Sequence, residues 1–193
     1  MRKVLITGFE PFGGSEVNSS WETAVRVGQQ SPKGVCMETL LLPVNFMRAG
    51  KMIREALKEK RPDVLVMLGQ RGKGESIYIE RIAINMMDAS NPDNDGYHPQ
   101  EQTIVDGGEA AYFSNFPVKK LRDALLQKGI PARVSNSAGL YVCNSTYYNA
   151  LNEIYEQGLP TKALFIHLPI ISEDFPIEML TDAILAIIDT IIH

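Results

Sequence analysis

"KVLITGF", residues 3–9, is a continuous apolar run that closes on a glycine and a phenylalanine. A short unbroken run of this kind reads as a buried strand. The next segment, "NSSWETAVRVGQQ" (18–30), opens on Asn and Ser and carries Glu22 in its first turn, the signs of a capped helix. "CMETLLLPV" (36–44) is strand-like and limited by Pro43, and Cys36 within it reads as a small buried hydrophobe. "NFMRAGKMIREALKEK" (45–60) brings Phe46, Met47, Ile53, Ala56 and Leu57 near one helix face, and "RPDVLVMLG" (61–69) returns as a strand. Residues 1–70 therefore read β-α-β-α-β.

The middle of the chain has another character. "SIYIERIAINMMDA" (76–89) alternates like a strand, and "SNPDNDGYHPQEQTIVDGG" (90–108) is dense in turn formers. A loop of that length inside a compact domain usually serves as a lid or binding loop. After it come a helix opened by Pro117 and stopped by Gly129, a strand "ARVSNS" (132–137) and a helix "CNSTYYNALNEIYEQG" (143–158). A strand "KALFIHLP" (162–169) and an apolar helix over 176–193 complete the chain. Strands alternating with helices predict an α/β/α sandwich around a twisted, largely parallel (mixed) sheet, with residues 1–193 as one domain. In such folds the chemistry gathers at strand C-terminal ends and the loops after them.

Composition excludes several classes. With 45% hydrophobic and 22% charged residues the chain can bury a real core. A formal net charge of −4 argues against nucleic-acid binding, which favours a basic face. The basic stretch "REALKEKR" (54–61) alternates with acids, as a solvated helix face does. The N-terminal apolar run is short and lacks a cleavage site, so it reads as a strand and not a signal peptide. "AILAIIDTIIH" is broken by Asp189 and too short to span a bilayer. Two cysteines form no disulfide framework, which points to a reducing cytoplasm. "GQRGKGES" lacks the Lys-Ser/Thr of a phosphate loop, "PDNDG" lacks a calcium ligand ladder, and no Cys/His spacing suits zinc.

Cys143 stands where "GLYV" gives way to a helix. Unpaired N–H groups and the positive end of the helix dipole favour a thiolate there. A thiolate nucleophile needs a base. His193 is the last residue and His98 lies in the turn-rich loop, whereas His167 ends a core strand and would emerge at the same sheet edge as Cys143. Glu80 is an acid within an apolar strand and needs a partner. Arg81 would point to the opposite face, which leaves His167.

The segments "TGFEPFGG", "GQ", "ERIAIN", "PDNDG", "SNSAGLYVCN" and "FIHLP", in this order, make the chain resemble the pyroglutamyl peptidase I (pyrrolidone carboxyl peptidase) family of cysteine peptidases. That resemblance implies a hydrolase removing N-terminal 5-oxoproline from peptides, without metal or cofactor. It puts the nucleophile on Cys143, the general base on His167 and the orienting acid on Glu80. It also implies that Phe9 and Phe12, rings of an exposed glycine-bracketed loop, sandwich the lactam, and that Asn18, Gln70, Tyr141 and Val142 belong to the substrate site. Relatives usually carry Phe at the Tyr141 position, and are often homotetramers. A subunit contact through Leu180, Ile184, Ile187, Ile188 and Ile191 and ordinary core packing both suit the last helix.

Two departures stand out. Ser90 and Asn91 occupy positions where relatives carry Arg and Ile, and "GQRGKG" brings two cations, Arg71 and Lys73, where relatives read "GQAGGR". Three functions stay open on the sequence: the exopeptidase, a Cys-His-Glu amidase with altered small-amide specificity, and a catalytically weakened binding or redox-responsive protein.

Overall fold

Apolar runs and amphipathic segments fold in the anticipated alternation. The computed structural model describes every residue except Ser31, Lys33 and Lys73. The strands are β1 (Arg2–Phe9), β2 (Val35–Leu42), β3 (Val64–Gln70), β4 (Ile77–Glu80), β5 (Ile82–Ile84), β6 (Ala111–Phe113), β7 (Ala132–Ser135) and β8 (Lys162–Leu168). The helices are α1 (Ser19–Gly28), α2 (Phe46–Lys60), α3 (Val118–Gln127), α4 (Val142–Glu156) and α5 (Ile177–Ile192). Six strands form one sheet in the order β2-β1-β3-β8-β4-β7, and β5 pairs with β6 in a separate two-stranded sheet. All neighbours in the large sheet are parallel except β4 and β8. The architecture is the mixed, largely parallel α/β sheet expected.

Strands β1, β2, β3 and β8 feed two cores, because successive side chains leave opposite faces. On one face Ile6, Val66, Leu68, Ile77, Ile79 and Ile166 pack with the apolar sides of α1, α3 and α5. On the other Leu5, Met67 and Phe165 pack with α2 and α4. Leu180, Ile184, Ile187 and Ile188 of α5 are at most 1% exposed, so this apolar helix is consumed by the chain's own core.

Three local expectations are corrected. Cys36 is exposed, because β2 is an edge strand of the sheet and shows half of its residues to solvent. Met47 is 67% exposed; the buried side of α2 is instead Phe46, Ala49, Gly50, Ile53, Ala56 and Leu57. The run 76–89 is two strands, not one. At Arg81 the N–H still donates to Ser135 in line with β7, but the carbonyl accepts from Ser114, and the chain leaves the large sheet for the small one. The long loop that follows is tied down by Asp93, whose buried carboxylate accepts from the N–H groups of Phe46, Asp95 and Tyr97.

Candidate active site

Parallel strands bring their C-terminal ends to one edge, and the loops after them close a cavity of about 200 Å³. Its walls are Phe9, Phe12, Asn18, Val44, Gln70, Ala138, Tyr141, Val142, Cys143 and His167. Eight of the nine site residues anticipated from the sequence thus meet in one place, and the ninth, Glu80, lies directly behind His167. Val44 and Ala138 were not anticipated. Val44 follows Pro43 at the end of β2, where the placement of loops after strand ends could have signalled it. Phe9 corrects an expectation: it closes β1 and is 2% exposed, a wall fixed in the core, while Phe12 alone belongs to the glycine-bracketed loop. His98 and His193 are remote, the first bonded to the Ala89 carbonyl and the second exposed at the chain end.

Local sequence fixes each group. Cys143 is the second residue of α4, whose N-cap, Tyr141, offers no side-chain acceptor. The first N–H groups of this helix, Cys143's own among them, therefore have no intrahelical partner, and Val142 and Cys143 line the cavity. Asn144, also unanticipated, locks the helix start: its amide donates to the Ile84 and Met86 carbonyls and its oxygen accepts from the Ile84 N–H. Below the thiol lies Gly69. A Cβ there would stand 2.9 Å from the Phe165 ring and 3.0 Å from Cys143 Sγ, so only glycine admits the sulfur this close to β3.

Because β4 runs antiparallel to β8, Glu80 pairs with Phe165, two residues deeper than His167, and is wholly buried. Its Oε1 lies 2.8 Å from His167 Nδ1. An ionised carboxylate can only accept, so Nδ1 donates and Nε2 is left for the cavity. Burial alone pushes the imidazole pKa down. The charge and hydrogen bonding of Cys143, then of Glu80, outweigh it and hold His167 at about 9. At neutral pH the ring is therefore an imidazolium between two acidic groups.

The remaining polar groups are held by short local bonds. Asn18 caps α1 through the Ser20 N–H and donates to the Glu10 carbonyl. Gln70 Oε1 accepts from Ser19 at 2.8 Å, which leaves its NH₂ at the cavity. The Tyr141 hydroxyl donates to the Pro92 carbonyl at 2.9 Å, and its ring stands edge-on to Phe46. Where a phenylalanine would only pack, this tyrosine ties the helix start to the long loop. Ser90 and Asn91 line a second cavity of about 370 Å³, which shares Phe12 and Tyr141 with the first. Arg71 stacks on the Tyr78 ring, 4.4 Å from its centre. Lys73 lies outside the described residues.

Residues 2–186 match the pyroglutamyl peptidase family. The chain belongs to it. The pyrrolidone-carboxylate peptidase of Thermococcus kodakarensis is 46% identical over 167 residues, 86% of this chain and 81% of that one. The crystal structure of pyroglutamyl peptidase I from Bacillus amyloliquefaciens superposes with a TM-score of 0.92 at 35% identity, covering 97% of this chain and 95% of that one. A mutant pyrrolidone carboxyl peptidase from the hyperthermophile Pyrococcus furiosus gives a TM-score of 0.93 at 36% identity, covering 97% and 96%. Among the described residues no helix is long and apolar enough to cross a membrane.

Proposed function

We propose that this pyroglutamyl peptidase works as a cysteine exopeptidase with Cys143 as nucleophile, His167 as acid and base, and Glu80 as the group that orients His167. The observation that carries this reading is the buried Glu80–His167 hydrogen bond of 2.8 Å, backing a cavity that also holds Cys143 at a helix start. Cys143 Sγ attacks the pyroglutamyl carbonyl carbon. The resulting oxyanion faces the unpaired N–H groups at the start of α4, a preorganised donor set. As the C–N bond breaks, Nε2 of His167 gives its proton to the leaving amine. A thioester joins the acyl group to Cys143. Water then attacks this thioester, His167 takes a proton from the water, and 5-oxoproline departs as the thiolate re-forms.

The cavity suits a flat, neutral lactam. Phe9, Phe12, Val44 and Val142 supply apolar walls, and the free Gln70 amide and the second Asn18 amide hydrogen supply N–H donors for the ring's carbonyl. All 193 residues are taken as one catalytic domain acting on peptide substrates. Two unpaired cysteines favour a reducing cytoplasm as its location. Assembly into a homotetramer is proposed from family resemblance alone, since the apolar side of α5 is already used internally.

A second reading, an amidase with altered small-amide specificity, draws on Ser90 and Asn91 in the wall of the adjoining cavity. One assay separates the two: fluorogenic pyroglutamyl, prolyl and glutamyl amides offered to the wild-type chain and to Cys143→Ala. The proposal requires that only the pyroglutamyl amide turns over and that Cys143→Ala abolishes this turnover with the fold intact. Turnover of the others at comparable rates favours the second reading, and activity in Cys143→Ala removes the nucleophile.

A further inference from the structure

Strand register sets four residues in a row across the sheet. Gly69 on β3 pairs with His167 on β8, His167 pairs with Tyr78 on β4, and Tyr78 pairs with Arg133 on β7. Paired residues share a face, so all four stand on the face where Cys143 Sγ approaches Gly69. The row has a direction. Phe9 and Val44, the apolar end of the cavity, belong to β1 and to the loop after β2. Cys143 stands over β3, and the acid that serves the leaving amine stands on β8. A peptide whose first residue fills the cavity must therefore continue past His167, over β4 and β7.

Arg71 waits on that route. Its N–H donates to the Leu168 carbonyl at 2.8 Å, which extends the β3–β8 ladder by one residue. Two positions beyond Gly69, its side chain leaves by the same face. The guanidinium lies over the ring of Tyr78, the neighbour of His167, where the ring quadrupole attracts it. Arg71 and Arg133 are both exposed, and among the described residues neither is ion-paired, with the loop's own acid, Glu75, or with any other.

We infer that Arg71, seated on Tyr78 with Arg133 one strand further, forms a leaving-side subsite that favours a carboxylate in the residue after pyroglutamate. The carboxylate is the free α-carboxylate of a dipeptide or an acidic side chain. A guanidinium held over a ring offers its fork of N–H groups to either, with less orientational freedom left to lose than a free side chain has. The subsite rests on the peptidase reading above and adds to it the class of substrate.

The test is a set of kcat/KM ratios on the full chain at pH 7. Pyroglutamyl-alanine is compared with pyroglutamyl-alaninamide, and pyroglutamyl-glutamic acid amide with pyroglutamyl-glutamine amide. At least one acidic member of these pairs should be preferred by about three- to tenfold at low salt, a modest factor because the arginines are solvated. The pair that shows the preference identifies the source of the carboxylate. The ratio should fall in Arg71→Ala, approach one in the Arg71→Ala/Arg133→Ala double variant, and shrink with added salt. Because a ratio is read, general damage to the enzyme cancels. Ratios near one in the wild type, or unchanged ratios in Arg71→Ala, overturn the subsite alone. No hydrolysis of any of the four substrates overturns the peptidase reading, and the subsite with it.

Discussion

Along β8, Ile166 and Leu168 face α1, α3 and α5, while Phe165 and His167 face α2 and α4. Along β4, Ile77 and Ile79 enter the first core, while Tyr78 and Glu80 turn to the second face. The same strands thus supply an all-apolar face and a reactive one. The pleat separates them with a period of two, so a residue that stabilises and a residue that reacts can be adjacent in sequence and share no contact. The apolar face can be optimised for packing alone. The other face accommodates a buried carboxylate, an imidazolium and a glycine where a larger residue would pack better.

The contrast is sharpened most by Glu80→Gln. Glutamine keeps the shape but not the charge, so kcat should fall about a hundredfold or more while KM changes little. The basic limb of the activity profile, expected near pH 9 in the wild type, should move to lower pH, since Glu80 is one of the groups that hold His167 up. Stability follows the same sign. A histidine held above its unfolded value of about 6.5 contributes stability fully below that pH, and the contribution is lost as pH rises through about 9. Urea midpoints at both ends of this window should therefore converge in Glu80→Gln. A variant that mainly raised KM would place Glu80 in substrate binding and erase the distinction.

The opposite face should respond in the opposite way. Ile184→Ala opens a cavity among α5 and the sheet and should lower unfolding free energy by about 2–5 kcal/mol. The kcat per folded molecule should not change. A large fall in kcat would mean that the two faces are mechanically coupled.

The smallest effect is expected at Ser90. It lies in the wall of the adjoining cavity, exposed, with Tyr141 and Phe12 between that cavity and the thiol. Losing an oxyanion donor typically costs about 100-fold or more, but the donors proposed here are the backbone N–H groups of α4. Ser90→Arg should then alter kcat by no more than about threefold, the range of an ordinary surface change. A rise of tenfold or more would show that a cation from the long loop belongs in the chemistry.

Much of this was legible in the sequence because it is local. Unbroken apolar runs gave the central strands, Asn18 announced the start of α1, and the start of α4 was visible in the change of character at Cys143. The three histidines could be sorted by their segments alone. What escaped depends on strand order. Cys36 and Val66 both sit in short apolar runs, yet one strand is an edge and the other central, and nothing within a run distinguishes them. The depth of Glu80 follows from an antiparallel pairing of strands 85 or more residues apart. The break at Arg81 follows from a bond to Ser114 that only the folded chain makes. Asn144 was visible within the "VCN" motif, but its task, holding the loop after β5, needs a partner 60 residues away.

The two cysteines differ in both exposure and setting. Cys36 is exposed on an edge strand, and Cys143 is partly buried beneath the cavity. If access governed reactivity, Cys36 would be alkylated first. The reverse is expected, because thiolate character and not exposure sets the rate. Under limiting iodoacetamide at neutral pH, peptide mapping should find Cys143 modified well ahead of Cys36. Activity should disappear in step with the Cys143 adduct, and Cys36→Ser should change neither rate. Preferential labelling of Cys36, or full activity in protein alkylated at Cys143, would contradict the claim that Cys143 is the nucleophile.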